Sequence, residues 1–254
     1  PGTYVETIDL LGKQLVIEGT GGAAVTINDA AGTGRPVTLD SAEPAGTRLT
    51  GFTITGGTGP IVSLPLGFGT LVDSNCGGGL YVGAGAHLAL SDCVVTGNTV
   101  GSSLNAVGGG MAAHQSIVTV TGCTFSDNTG TRGAAFCIPN GLTQTVISDC
   151  LFPGNTPTSN DVVSLWEGTG TVTDCDFLDN VGTGLSKRGY GVTVTRCTFK
   201  GNTGWGYSHS ANLGADVKDL TFLGNGLGGA HCVGATFGAE DFITGSLFVN
   251  DTLR

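Results

Sequence analysis

Charge is scarce in this chain, and positive charge is scarcest. Only 12% of the 254 residues are charged, and ten Lys and Arg stand against twenty Asp and Glu. The resulting net charge of −10 opposes binding to nucleic-acid phosphates and to anionic membranes, so neither is expected as a partner. No apolar run approaches the roughly 18 residues that a membrane-crossing helix requires. No helical period is sustained anywhere, and there is no zinc-ligand spacing, no phosphate-cradling loop before a helix and no nucleophile elbow. A secretory signal is missing too. The opening Pro1-Gly2-Thr3-Tyr4-Val5-Glu6 reads as the middle of a turn, so the sequence is expected to be a piece of a longer precursor.

Glycine is abundant. Its 46 copies make up about 18% of the chain, against a usual share of roughly 7%. No three-residue period accompanies them, which excludes collagen, and a mean hydropathy of +0.22 predicts a filled core in place of disorder. A pattern of Phe or Val, two variable residues and Asn occurs at Val95–Asn98, Phe125–Asn128, Phe152–Asn155, Phe177–Asn180, Phe199–Asn202 and Phe222–Asn225. Successive copies are 30, 27, 25, 22 and 23 residues apart. A period in the twenties marks a solenoid, whose turns bury their apolar faces only against one another.

Two positions before each anchor lie Cys93, Cys123, Cys150, Cys175, Cys197 and then Leu220. Flanking columns hold apolar residues (Leu90, Val120, Ile147, Val172, Val194), hydroxyls (Ser91, Thr121, Ser148, Thr173, Thr195) and aromatics (Phe125 to Phe248). Their period-two alternation predicts strands, and identical residues stacked one rung apart predict cysteine, phenylalanine and asparagine ladders. The Asn column is expected at a turn, where Asn tolerates left-handed backbone. Stacked cysteines would lie about 4.8 Å apart with parallel Cβ vectors, poor geometry for a disulfide, so a buried thiol ladder is expected. Cys76, Cys137 and Cys232 fall outside that column, and a bridge among them stays open. A second strand opens on glycine at Gly77-Gly78-Gly79, Gly108-Gly109-Gly110, Gly133, Gly182 and Gly228-Gly229. The fold expected is all-β, a right-handed parallel β-helix of about nine to ten coils forming one domain over residues 1–254.

The Gly-Gly-apolar starts paired with Phe-x-x-Asn resemble the repeats of polymorphic outer-membrane autotransporter passengers, within the wider class of bacterial surface β-helix proteins. Pro1–Glu6 and Gly51-Phe52-Thr53-Ile54-Thr55-Gly56-Gly57 are similar to that class as well. The resemblance implies an exported or cell-surface protein, commonly adhesive, although some β-helices degrade polysaccharides. Pro1–Glu6 and Asp241-Phe242-Ile243-Thr244-Gly245 also resemble segments of pectinesterases, but that family's Gln-containing and Arg segments are missing, and Ile243 falls on a core column.

Solenoids carry function where coils depart from the minimum. Segments 57–79, 99–110, 129–135 and 156–162 are insertions leaving one corner, and they are expected to form a wall beside the second-strand sheet. Near that wall fall Tyr81, His114, Trp166, Glu167, Lys187, Arg188, Tyr207, His209 and His231. Trp166 beside Glu167 offers a stacking platform for a sugar with a polar handle. Lys187 and His209 occupy an inward register, but the strand is expected to end there and release both to solvent beside Arg188. The ligand-binding set is therefore Tyr81, His114, Trp166, Glu167, Lys187, Arg188 and His209, and the partner expected is a polysaccharide or cell-surface ligand. The leading reading is a non-catalytic, extracellular, adhesin-like module. The alternative is a polysaccharide lyase or hydrolase with a cleft between wall and sheet. There Lys187 or His209 would accept the proton while Arg188 neutralises a uronate, or Asp161 and Glu167 would act as the carboxylate pair. An inert structural spacer is a third reading. No cofactor is expected; the one alternative is calcium between neighbouring carboxylates of the column Asp92, Asp149, Asp174, Asp219, where Arg196 offsets the like charges.

Overall fold

A computed structural model describes residues 1–65, 71–101, 105–139, 143–159, 161–189, 191–210, 217–233 and 243–251. Within them every regular element is a strand, and all but four of the strands form three parallel sheets of ten, nine and nine; the other four make two small pairs. One coil shows the plan: Thr183–Arg188 in a glycine-led sheet, Val192–Thr195 in a hydroxyl sheet and Thr198–Lys200 in an aromatic sheet. Each strand pairs with its counterparts one coil before and one coil after, and the registers bring Phe177 opposite Phe199, Val172 opposite Val194 and Ser186 opposite Ser208. The parallel β-helix is thus the architecture.

The segment read as one alternating strand through the cysteine column is two strands in different sheets. The bend falls on the residue before each cysteine, which takes left-handed backbone: Gly51, Asp92, Gly122, Asp149, Asp174, Arg196, Asp219 and Gly245 all have φ between 51° and 74°. Gly and Asp occupy this column because they reach that conformation at little cost. Arg196 is the exception, and its guanidinium grips Asp174 with two hydrogen bonds of 2.8 Å. Both side chains are exposed, so the pair contributes little to stability. No three His, Cys, Asp or Glu among the described residues gather as a metal site.

The asparagines also differ from expectation. The left-handed residue is the one before each Asn (Gly97, Asp127, Gly154, Asp179, Gly201, Gly224), while the Asn side chain turns inward and is buried. Each amide satisfies several backbone groups at once. Asn155 Nδ2 donates to Phe125 O at 2.8 Å and to Asn180 Oδ1 at 3.2 Å, and Asn155 Oδ1 accepts from the Asn128 backbone N–H at 3.1 Å. This scheme runs from Asn98 to Asn225, with Gly57 N donating into its first member and Asp251 accepting from its last.

Beside the Asn ladder runs a phenylalanine stack. Phe125, Phe152, Phe177, Phe199, Phe222 and Phe248 follow one another at centroid distances of 4.6–5.4 Å, with interplanar angles of 22° or less. Gly184, Gly206 and Gly229 face this stack, and a Cβ there would come within 2.7–3.0 Å of the rings of Phe199, Phe222 and Phe248. All eight cysteines are free. In the ladder the thiols donate to the carbonyl two residues back, as Cys150 does to Ser148 at 3.0 Å and Cys175 to Thr173 at 3.1 Å. Hydrogen bonds with neighbouring thiols, and then burial, push the Cys123 and Cys175 thiols up.

Two expected outcomes follow from these ladders. Asn155→Ala orphans the buried Phe125 carbonyl and Asn128 N–H, and should cost about 3–5 kcal/mol in urea unfolding. Titration of the native protein with a thiol reagent should modify Cys232, the one half-buried cysteine, with the others reacting only on unfolding.

Candidate functional site

The insertions stack into a wall at one corner. Ile61–Pro65 and Leu71–Asn75 form an antiparallel hairpin, Cys76, Val107 and Arg132 bridge in parallel, and Thr129–Gly130 pairs with Thr156–Pro157. Among the described residues no cleft separates this wall from the glycine-led sheet in the N-terminal half. The contact is filled by a second apolar core of Leu64, Cys76, Tyr81, Val107, Ala112 and Cys137, packed with Val62. Tyr81 lies under the wall with the Arg35 guanidinium 4.8 Å above its ring. Arg35 is itself buried and held by the carbonyls of Cys76 at 2.7 Å and Gly77 at 2.9 Å. His114 is buried where the strand turns through Gln115. Tyr81 is closed off by the apolar core under the inserted loops, and His114 is buried as well, so neither is presented to a ligand.

Lys187 and His209 require a second correction. The strands continue through Arg188 and Ser210, so the alternation holds and both side chains point into the solenoid, 1% and 6% exposed. They share an inward column with Leu165 and Cys232. Lys187 Nζ donates to Val192 O at 2.9 Å, and burial pulls its pKa down to about 8. His209 Nδ1 meets Tyr207 OH at 3.4 Å, and burial pushes the fully enclosed Tyr207 hydroxyl up. Neither is placed to take a proton from a substrate.

The hydrolase pair fails on distance. Asp161 opens the strand Asp161–Trp166 and Glu167 follows its end as an exposed left-handed corner residue. At a rise of about 3.3 Å per residue they stand roughly 15–20 Å apart, beyond the roughly 5–10 Å that two cooperating carboxylates need. A cavity of about 300 Å³ lined by Tyr4, Glu6, Ile17 and Phe52, and one of about 130 Å³ lined by His87 and Ile117, lie away from every candidate residue. Asp241 and Phe242, part of the pectinesterase-like segment, lie outside the described residues.

Beyond the wall the outward residues of the glycine-led sheet are half-buried or exposed. Its outward column passes from Ser164, which is buried, to the half-buried Ser186, Ser208 and His231. On one flank Trp205 stacks on His231, with centroids 4.8 Å apart and planes 15° from parallel. On the other, Trp166, Arg188 and Ser210 are in register. The Trp166 ring is contacted by two guanidinium groups, with Arg132 of the wall 4.5 Å and Arg188 5.0 Å from its centroid. Asp161 opens the strand that ends at Trp166, and it receives a 3.4 Å hydrogen bond from Ser164. Burial pushes its pKa up to about 6, against the opposing pull of hydrogen bonds and of Arg132.

Trp166, Arg188 and Arg132 are thus brought together, with Glu167 exposed beside them and Asp161 at the opposite end of the Trp166 strand, within electrostatic reach of Arg132. Arg132 was unanticipated, as were Trp205, Ser186 and Ser208. The serines were detectable: shifting the column Leu185–Tyr207–Ala230 by one residue yields Ser186, Ser208 and His231. Arg132 left no such signal, because a loop side chain carries no register.

Lys187 gives a direct prediction. Its folded pKa lies below the usual lysine value of 10.5, so the buried site disfavours the charged form, and stability should rise as pH increases from about 8 to 10.5. Lys187→Met should abolish that rise and stabilise the protein at neutral pH by up to about 3 kcal/mol, read by urea unfolding across the pH range.

Comparison with known proteins agrees with the architecture. No curated protein and no solved structure matches the chain. A family model described as the right-handed β-helix region matches residues 72–240, about two-thirds of the sequence. This chain belongs to the right-handed β-helix family.

Proposed function

We propose that this chain is a non-catalytic glycan-binding module that works outside the cell, in the manner of an adhesin. Its contact surface is the C-terminal half of the glycine-led sheet, where the outward column is half-buried. The observation that carries this reading is the surface composition at one place. Hydroxyls of Ser186 and Ser208 lie in register, with Ser210 opposite Arg188, and two aromatic stations flank them: Trp166 with its guanidinium groups and Trp205 with His231. Serine hydroxyls both donate and accept, and indole rings suit the apolar face of a pyranose. Rungs about 4.8 Å apart give a polymer successive equivalent contacts. Removal of Lys187 and His209 to the interior takes away the proton acceptors that a lyase reading would need.

The test is a panel of neutral and acidic oligosaccharides followed by calorimetry. Binding is expected without turnover, and Trp205→Ala should weaken it about tenfold, the scale of one aromatic anchor. A silent panel would leave the structural spacer as the better reading. Turnover that disappears in Asp161→Asn would replace the binder by an enzyme.

A further inference from the structure

We propose that Arg132, Trp166 and Arg188 form a receptor for an anionic sugar substituent, a sulfate ester or a uronate, with Asp161 as its internal competitor. This rests on the glycan-binding reading and adds the class of ligand and a control on its affinity. Three of the ten cationic residues, Arg132, Lys187 and Arg188, fall within this part of an otherwise acidic chain. Lys187 is turned inward, so the outward charge comes from the two arginines. A guanidinium that lies over an indole uses its face, which leaves the in-plane N–H groups available for a two-oxygen anion. The one ion pair among the described residues is Arg196–Asp174 on another corner, so neither arginine is neutralised by direct carboxylate contact. The position matters as well. Arg132 comes from the end of the wall and Arg188 from the first coil beyond it, so an anion at the step would touch both.

Asp161 is the groups' own anion. It is half-buried, and the groups around it are Ser164 on its own strand, Ser186 on the next, Arg132 from the wall and the buried, neutral Cys137 thiol. When ionised it draws on the Arg132 charge that an external anion would use. It becomes neutral as pH falls through about 6, which frees Arg132. Affinity for an anion whose own charge is constant should therefore rise on acidification.

The experiment measures binding of a dextran sulfate oligomer, an oligogalacturonate and an unsulfated dextran of equal length at about pH 7.5 and about pH 5. All proteins carry His231→Gln, so that the other imidazole on this face does not contribute. Dextran sulfate is expected to bind about fivefold tighter at the lower pH, the scale of one partly exposed ion pair. Asp161→Asn should hold the tighter affinity at both values. Arg188→Gln should weaken binding about five- to tenfold, whereas Lys200→Gln, on the aromatic sheet, should not. Oligogalacturonate binding near neutral pH assigns uronates as well as sulfates; sulfate binding alone assigns sulfates. Equal affinity for unsulfated dextran would overturn the anion receptor and keep the glycan reading. Equal losses in Arg188→Gln and Lys200→Gln would overturn the site, and a pH response that persists in Asp161→Asn would overturn the competitor. Silence of all three probes, together with a silent oligosaccharide panel, would overturn both proposals.

Discussion

Each turn of this solenoid must bring polar backbone into a closed core, and the Asn ladder makes that possible. An inward turn leaves a carbonyl and an N–H without sheet partners, and burying either one unpaired costs on the order of 1–3 kcal/mol. A single amide supplies both a donor and an acceptor, and stacked amides also satisfy one another. The chain therefore needs Asn at one position per coil and a left-handed residue immediately before it. Once that register is set, the phenylalanines have no choice but to stack, and the glycines facing them must stay small.

The same constraint explains why the outside can vary. Repeated inward positions hold the coils together, so insertions at the loop corner change little in the core. In the N-terminal half they fold back as a wall and seal the outer face of the glycine-led sheet with a second apolar core. In the last coils the turns before the glycine-led strands are short, and the outward residues Ser186, Ser208 and His231 are only half-buried. The boundary falls at Arg132 and Trp166, where a loop residue from the wall meets a strand residue of the sheet. At this step, unlike in the apolar core beneath the wall, the side chains that meet are charged and aromatic.

Much of the fold was legible because stacking repeats a side chain at a nearly fixed interval. The Phe, Cys and Asn columns could be read from spacing, and they lie one rung apart as identical neighbours. Corners were harder. Alternation passes smoothly through a left-handed residue, so the bend before each cysteine looked like continuous strand, and the Asp–Gly column looked like a charge pattern when it is a conformational one. Lys187 and His209 were misjudged for an energetic reason: burying a cation is costly, but a carbonyl acceptor at 2.9 Å and a pKa drawn down to about 8 let Lys187 remain inside.

The sequence by itself determined the repeat, the ladders and the parallel β-helix, because these depend on interactions between equivalent positions of successive coils. Only the tertiary structure decided which outward residues are covered. That depends on where inserted loops come to rest, which no period encodes: Tyr81 and His114 are closed off, while Trp166, Arg188, Trp205 and the serine column face outward beyond the wall.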